Sequence, residues 1–203
     1  VITVRASNVY LNLNGRSLTG PGNKQGIGVL VENVTGVCVR DGIIGGFGIG
    51  VRVAGSNNVR LQGLKILAND LGGSPPDVEI GIMLANSRAV LVKDNVISRV
   101  FLGIFVRGGG SGGNRIVENT ITGAMNGMLG ICYNPVPGSP AAPQGDLVYN
   151  NLISRFTTGI ATSDQTRNNI FRENDIAYFS MAVSEAVAGS NVFVDNTATM
   201  MQP

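Results

Sequence analysis

Seven residues carry side chains suited to gripping a polar ligand, and they fall in four separate stretches of the chain. Arg52 and Arg107 have planar guanidinium groups, which hold a carboxylate through two parallel hydrogen bonds. Asp70, Asp77 and Glu79 have carboxyls, which serve as general acid, general base or calcium ligand. Phe105 and Tyr133 offer flat rings. The chain contains no His and no Trp. Without His, the commonest general base and metal ligand is gone, so catalysis would fall to carboxylates, Lys, Arg, Tyr, Ser or Thr. No contiguous motif ties the seven together, so the catalytic residues stay unknown. The commoner role for such scattered charges is an exposed, salt-linked surface.

Residues so far apart meet only if the chain repeats itself, and it does. The phrase "IVENTITGAMNG" (Ile116 to Gly127) has cousins in "VKDNVISRVFLG", "VYNNLISRFTTG" and "FRENDIAYFSMA". One aligned position falls at Arg16, Gly42, Leu64, Asn95, Asn119, Asn151, Asn174 and Asn196. From Gly42 onward the intervals are 22, 31, 24, 32, 23 and 22 residues, a period in the range of solenoids. Two positions later stand Leu18, Ile44, Ile66, Ile97, Ile121, Ile153, Ile176 and Ala198. Three positions earlier stand Leu13, Val39, Leu61, Val92, Ile116, Val148, Phe171 and Phe193.

A third apolar pair follows, usually after a Gly: Val29/Val31, Val51/Val53, Ile82/Leu84, Ile104/Val106 and Ile160/Thr162. Spacing of two is the period of a strand with these side chains inward, and helical i, i+3, i+4 patterning is missing. Three short strands per coil predict an all-β chain: a single right-handed parallel β-helix of about eight coils and three sheets, one domain over residues 1–203. Stacked coils bury what a lone coil cannot. Asn95, Asn119, Asn151, Asn174 and Asn196 are expected to turn one corner as an amide ladder.

Two segments break the rhythm, "LANDLGGSPPDVE" (Leu67 to Glu79) and "CYNPVPGSPAAPQGD" (Cys132 to Asp146), and both flank the sheet that starts at Gly-Ile. Insertions in solenoids gather on one face, and that face often binds. Outward positions there read Leu30, Arg52, Met83, Phe105, Leu129, Ala161 and Ser184, with Glu32, Arg107 and Ser163 two residues on. Asp70, Asp77 and Glu79 are placed to reach over the resulting trough, with Phe105 and Tyr133 as weak substitutes for a stacking Trp. Leu30, Met83, Phe105 and Leu129 make an outward apolar patch, expected to be covered by the insertions or by another subunit.

An acidic column of Asp41, Asp94, Glu118, Glu173 and Asp195 precedes the ladder, with Gly63 and Asn150 between. Like charges one coil apart repel, and Arg40, Lys93 and Arg172 stand beside three of them. Calcium between coils is one use of the column and a solvated edge the commoner one, so neither a metal site nor a cofactor is assigned. "GGGSGG" (Gly108 to Gly113) lacks the Lys-Ser/Thr and the helix of a phosphate loop and reads as a turn. "NVT" at Asn33 is a sequon, relevant only in a eukaryotic secretory pathway. Cys38 and Cys132 occupy different places in the repeat and read as unpaired thiols.

The formal charge is +2 with 14% charged residues, which gives no electrostatic case for nucleic acid or an anionic membrane. Apolar runs fall short of a membrane span. The chain opens on strand-like "VITV" with no leader pattern, as a mature or trimmed form would. Neither terminus resembles a cap helix, so a fragment of a longer chain or end-on self-association is expected.

"VYLNLNGRSLTGPG", "NVTGVCVRDGIIGGFGIGV" and the repeated "NxI…GI" phrase resemble the pectin-lyase-like superfamily of β-helix repeat proteins over essentially the whole chain. The resemblance implies that fold, a secreted, cell-surface or periplasmic location, and polysaccharide as partner. It carries no activity, because the Asn-Thr-Asp, Asp-Asp, Gly-His-Gly and Arg-Ile-Lys patterns of polygalacturonases are absent. So are the Asp-Pro-His of alginate epimerases and the RxPxxR pattern of pectate lyases. The expectation is a module that binds polysaccharide or mediates surface contacts. The alternative is a lyase or hydrolase working through Arg and carboxylates in the trough.

Overall fold

The computed structural model describes residues 1–22, 25–67, 79–124, 127–134 and 142–202. Among them every regular element is a strand, and the strands stack in parallel as three sheets around one core. Sheet A stacks Ile2–Val4, Ile27–Glu32, Ile49–Ala54, Ile80–Ala85, Leu102–Arg107 and Leu129–Asn134, then the second halves of Leu152–Thr162 and Asp175–Glu185. Sheet B runs from Tyr10–Asn12 through Leu91–Lys93 and Arg115–Val117 to Val192–Val194. Sheet C runs from Ser17–Thr19 through Val96–Val100 and Thr120–Gly123 to Thr197–Met200. Each sheet is thus eight strand segments deep, as the repeat predicts.

Side chains in register make the core. On sheet A, Val29, Val51, Ile82, Ile104, Ile131 and Ile160 stack inward, all fully buried. Ile44, Ile66, Ile97, Ile121, Ile153 and Ile176 do the same on sheet C. The glycine before each sheet A pair answers a spatial demand. A Cβ on Gly103 would lie 2.3 Å from the Gly130 carbonyl oxygen and 2.4 Å from Ile121.

The predicted ladder is present. Asn95 Nδ2 donates to Asn119 Oδ1 at 2.9 Å, Asn119 to Asn151 at 2.9 Å, Asn151 to Asn174 at 2.9 Å and Asn174 to Asn196 at 2.8 Å. Each backbone N–H in the series also donates to the next amide oxygen. The corner itself is turned one residue earlier. Asp41, Gly63, Asp94, Glu118, Asn150, Glu173 and Asp195 all have positive φ, between 51° and 64°. The acidic column is therefore a left-handed turn position, where short polar side chains are tolerated. Four of its five acids are met by neighbouring cations: Lys93 lies 3.0 Å from Glu118 and 3.8 Å from Asp94, Arg172 2.9 Å from Glu173, and Arg40 is paired with Asp41.

Two further ladders line the opposite corner, between sheets A and B. Ser56, Ser87 and Ser111 accept in turn from Val34, Ser56 and Ser87 N–H groups. Asn114, Asp146, Asn169 and Asn191 accept from Val90, Asn114, Asp146 and Asn169 N–H groups. The "GGGSGG" segment is a turn, as expected; Gly108 has φ 89°, and Ser111 Oγ donates to the Arg107 carbonyl at 2.8 Å. Both cysteines are free thiols.

Candidate functional site

The outer face of sheet A places three columns of side chains side by side. The first reads Ile27, Ile49, Ile80, Leu102, Leu129, Thr158 and Met181. The second reads Leu30, Arg52, Met83, Phe105, Cys132, Ala161 and Ser184, and the third Glu32, Ala54, Ala85, Arg107 and Asn134. Alternation sends the second and third columns outward while their neighbours fill the core; the first column lies three residues before the second, beyond a glycine that itself faces the core. The sequence reading had set Leu129 opposite Phe105. Gly130 stacks against Gly103 instead, which moves Leu129 into the first column and puts Cys132 beside Phe105.

The outward patch is a second hydrophobic cluster. Ile80, Met83, Ala85 and Leu102 are buried, with Ile49, Ala54, Phe101, Phe105 and Leu129 packed against them. Two cations interrupt this apolar ground. The Arg107 guanidinium stands over the Phe105 ring, 5.8 Å from its centre. Arg52 lies between Leu30 and Met83, and its buried Nε has no hydrogen-bond partner among the described residues. Neither arginine joins an ion pair among the described residues. Glu32, the outward acid of the third column, is held by Arg5 at 3.1 Å. Strand geometry sets the two arginine α-carbons on the order of 12 Å apart, two strands along and two residues over.

The remaining sequence candidates are corrected or lie elsewhere. Tyr133 is no stacking platform: it is 1% exposed, points into the core, and packs edge-on against Phe171 with ring centres 5.6 Å apart. It shares the inward column of Leu84 and Val106, because Ile131 and Tyr133 are the two inward positions of their strand. Glu79 does not reach over the face. It is 3% exposed and lines a cavity of about 10 Å³, room for one water, with Phe47, Ile66, Ile80 and Val100 at the corner between sheets C and A. Asp70 and Asp77, with most of both insertions, lie outside the described residues. The insertions attach at Leu67 and Glu79, and at Asn134 and Ala142, on opposite ends of sheet A strands.

What sequence reasoning missed is the polar interior at the other corner. Asp146 is buried, and its carboxylate accepts from Asn114 N at 2.8 Å and from Asn114 Nδ2 at 3.1 and 3.2 Å. Burial pushes its carboxyl up to about 6, against the pull of the Asn114 hydrogen bonds. The Tyr133 hydroxyl stands close enough to feel this charge but lacks hydrogen-bond geometry, and burial first, then Asp146, pushes the phenol well above its usual range. The signal was the column Val37, Val59, Val90, Asn114, Asp146, Asn169, Asn191, which turns from apolar to amide halfway along.

Fold and surface together define a parallel β-helix of the pectin-lyase-like kind. Alginate lyase from Paenibacillus sp. str. FPU-7 superimposes with a TM-score of 0.60 at 13% identity, over 97% of this chain and 87% of that one. An exopolygalacturonase from Thermotoga maritima matches with a TM-score of 0.60 at 12% identity, over 85% of this chain and 42% of the other. The enzymatically active domain of bacteriophage CBA120 tailspike protein 2 matches with a TM-score of 0.56 at 10% identity, over 98% of this chain and 38% of the tailspike domain. At such identities the likeness is one of fold. No curated protein matches in sequence. The chain belongs to the NosD family, described as periplasmic copper-binding protein, whose model matches residues 7–200.

Copper does not fit the described residues. His is absent from the sequence, and no cluster of three His, Cys, Asp or Glu side chains forms among the described residues. Cys38 and Cys132 sit on sheets B and A. Burial pushes the Cys132 thiol up to about 12 and raises Cys38 too, although Arg60 and Arg40 pull the latter down; both shifts oppose the thiolate that copper prefers. Met83 and Cys132 share a column but are separated by Phe105. No helix among the described residues is long and apolar enough to cross a membrane.

Proposed function

We propose that this chain is a β-helix module of a secreted or periplasmic protein that binds polysaccharide on the outer face of sheet A. The observation that carries this reading is the pair Arg52 and Arg107, unmatched by any acid among the described residues and set in an apolar strip with Phe105. A guanidinium on dry ground strongly prefers an anionic partner. Ring faces and aliphatic side chains suit the apolar faces of sugars, while the arginines suit carboxylates. Support also comes from the fold relatives, an alginate lyase and an exopolygalacturonase by name. Binding without turnover is favoured because, among the described residues, the outward carboxyl of the face, Glu32, is tied to Arg5 and Glu79 is buried at the corner.

Affinity measurements on a panel of acidic and neutral polysaccharides test this. Loss of a charge-assisted hydrogen bond is worth about 1.5–3 kcal/mol, so Arg107→Ala and Arg52→Ala should each weaken binding of an acidic polysaccharide roughly ten- to a hundredfold. Binding should also weaken with salt. Unchanged affinity in both variants would refute the assignment. Appearance of unsaturated products or new reducing ends, lost in the same variants, would replace the module with an enzyme.

A further inference from the structure

The corner ladder that contains Asp146 has one odd rung. In an all-amide ladder each asparagine Oδ1 receives two donors from the rung before; Asn191 Oδ1, for example, takes Asn169 N at 3.2 Å and Asn169 Nδ2 at 2.9 Å. Among the described residues Asn169 Oδ1 receives only the Asp146 N–H, at 2.8 Å, because an ionised carboxylate has nothing to donate. The same carboxylate is buried and has no cation within ion-pair distance among the described residues. On the inward column alongside, Tyr133 Oη and Thr162 Oγ1 are both buried without a hydrogen-bond partner among the described residues, and their residues are neighbours in register. Both hydroxyls carry their own proton, so the position short of a donor is the Asn169 rung, beneath a carboxylate that has none to give.

We propose that Asp146 is a proton-operated clasp: its protonated carboxyl supplies the donor that the ladder lacks, so the domain tightens as the medium turns acidic.

Among the described residues the groups that face Asp146 are few. Asn114 comes from the turn before Arg115–Val117, Asn169 from the turn before Ile170–Arg172, and Tyr133 from Leu129–Asn134. Of these only Tyr133 titrates, far above neutrality. Arg115 and Arg167, adjacent to the ladder in sequence, are exposed. Glu185 lies two strands beyond Tyr133 on the inward column and is tied to Asn191, Ser190 and Gly189. The sign follows from linkage. A carboxyl whose folded pKa is raised, here from 3.8 to about 6, contributes stability that is complete below 3.8 and lost as pH rises through 6.

Urea unfolding of the wild type and Asp146→Asn at pH 7 and pH 5 provides the test. Carboxylates common to both proteins cancel in the comparison. Relative to the variant, the wild-type unfolding constant should fall about tenfold between pH 7 and pH 5. The variant should be the more stable of the two at pH 7, since its amide completes the ladder. Parallel pH profiles would overturn the clasp. Should the variant fail to fold, carboxyl-detected NMR of the wild type decides: an aspartate titrating near pH 6 supports the clasp, and none titrating above pH 5 overturns it.

Discussion

Truncating Asn119 to alanine separates a stabilising ladder from a decorative one. Asn119 Oδ1 accepts from Asn95 N at 3.0 Å and from Asn95 Nδ2 at 2.9 Å, while its own Nδ2 donates to Asn151 Oδ1, Val92 O and Val117 O, each at 2.9 Å. Alanine retains none of these. Asn95 Nδ2 keeps the Leu61 carbonyl, and Asn151 Oδ1 keeps the Asn119 N–H. The Asn95 N–H and the Val92 carbonyl are left buried without those partners, and a buried polar group stripped of its partner costs about 1–3 kcal/mol. Two of them give about 4 kcal/mol, a large share of the 5–15 kcal/mol typical of a domain. Asn196 makes similar bonds, to Asn174 and the Phe171 carbonyl, but at a part-buried site where water can substitute, so Asn196→Ala should cost only about 1 kcal/mol. Urea midpoints read both. Equal costs for the two variants, or less than about 1 kcal/mol for Asn119→Ala, would refute the ladder as a source of stability.

Gly103→Ala should destabilise by roughly 3 kcal/mol or more, because its Cβ would meet backbone on the next coil at 2.3 Å. Gly113→Ala is the control: nothing lies within 4 Å, and only the φ of +64° opposes it, at about 1 kcal/mol. Thermal or urea unfolding checks the pair. Cys132, with its thiol pushed up to about 12 by burial, should resist a thiol reagent at pH 8 in the native state and react only on unfolding; rapid native modification of Cys132 in a Cys38→Ala background would contradict the burial.

Much of this architecture is legible without coordinates because a stacked coil repeats its demands. Every coil needs apolar residues at the same inward places, so Ile97, Ile121, Ile153 and Ile176 show as a column in the sequence and again in the core. The amide ladder was legible for the same reason. The outer face of sheet A was legible in part: Arg52, Met83 and Phe105 were set in one column correctly, while Leu129 and Tyr133 were misplaced. That strand follows a coil whose length differs from its neighbours, so Gly130 rather than Gly127 stacks on Gly103 and the register moves by three residues. Tyr133 looks like a surface ring by type, yet Phe171 gives it a packing partner that only the stacked coils reveal.

The sequence by itself determined the period, the identity of the core columns and the asparagine corner, since these are set by local alternation and by what one coil requires of the next. Only the tertiary structure decided that Asp146 lies inside an amide ladder, that Glu79 is buried at the corner between sheets C and A, and that Arg52 and Arg107 lack acidic partners among the described residues. Those facts depend on which side chains from different coils come within a few ångströms of each other. Such distances arise when the coils close and stack, and no spacing along the chain encodes them one residue at a time.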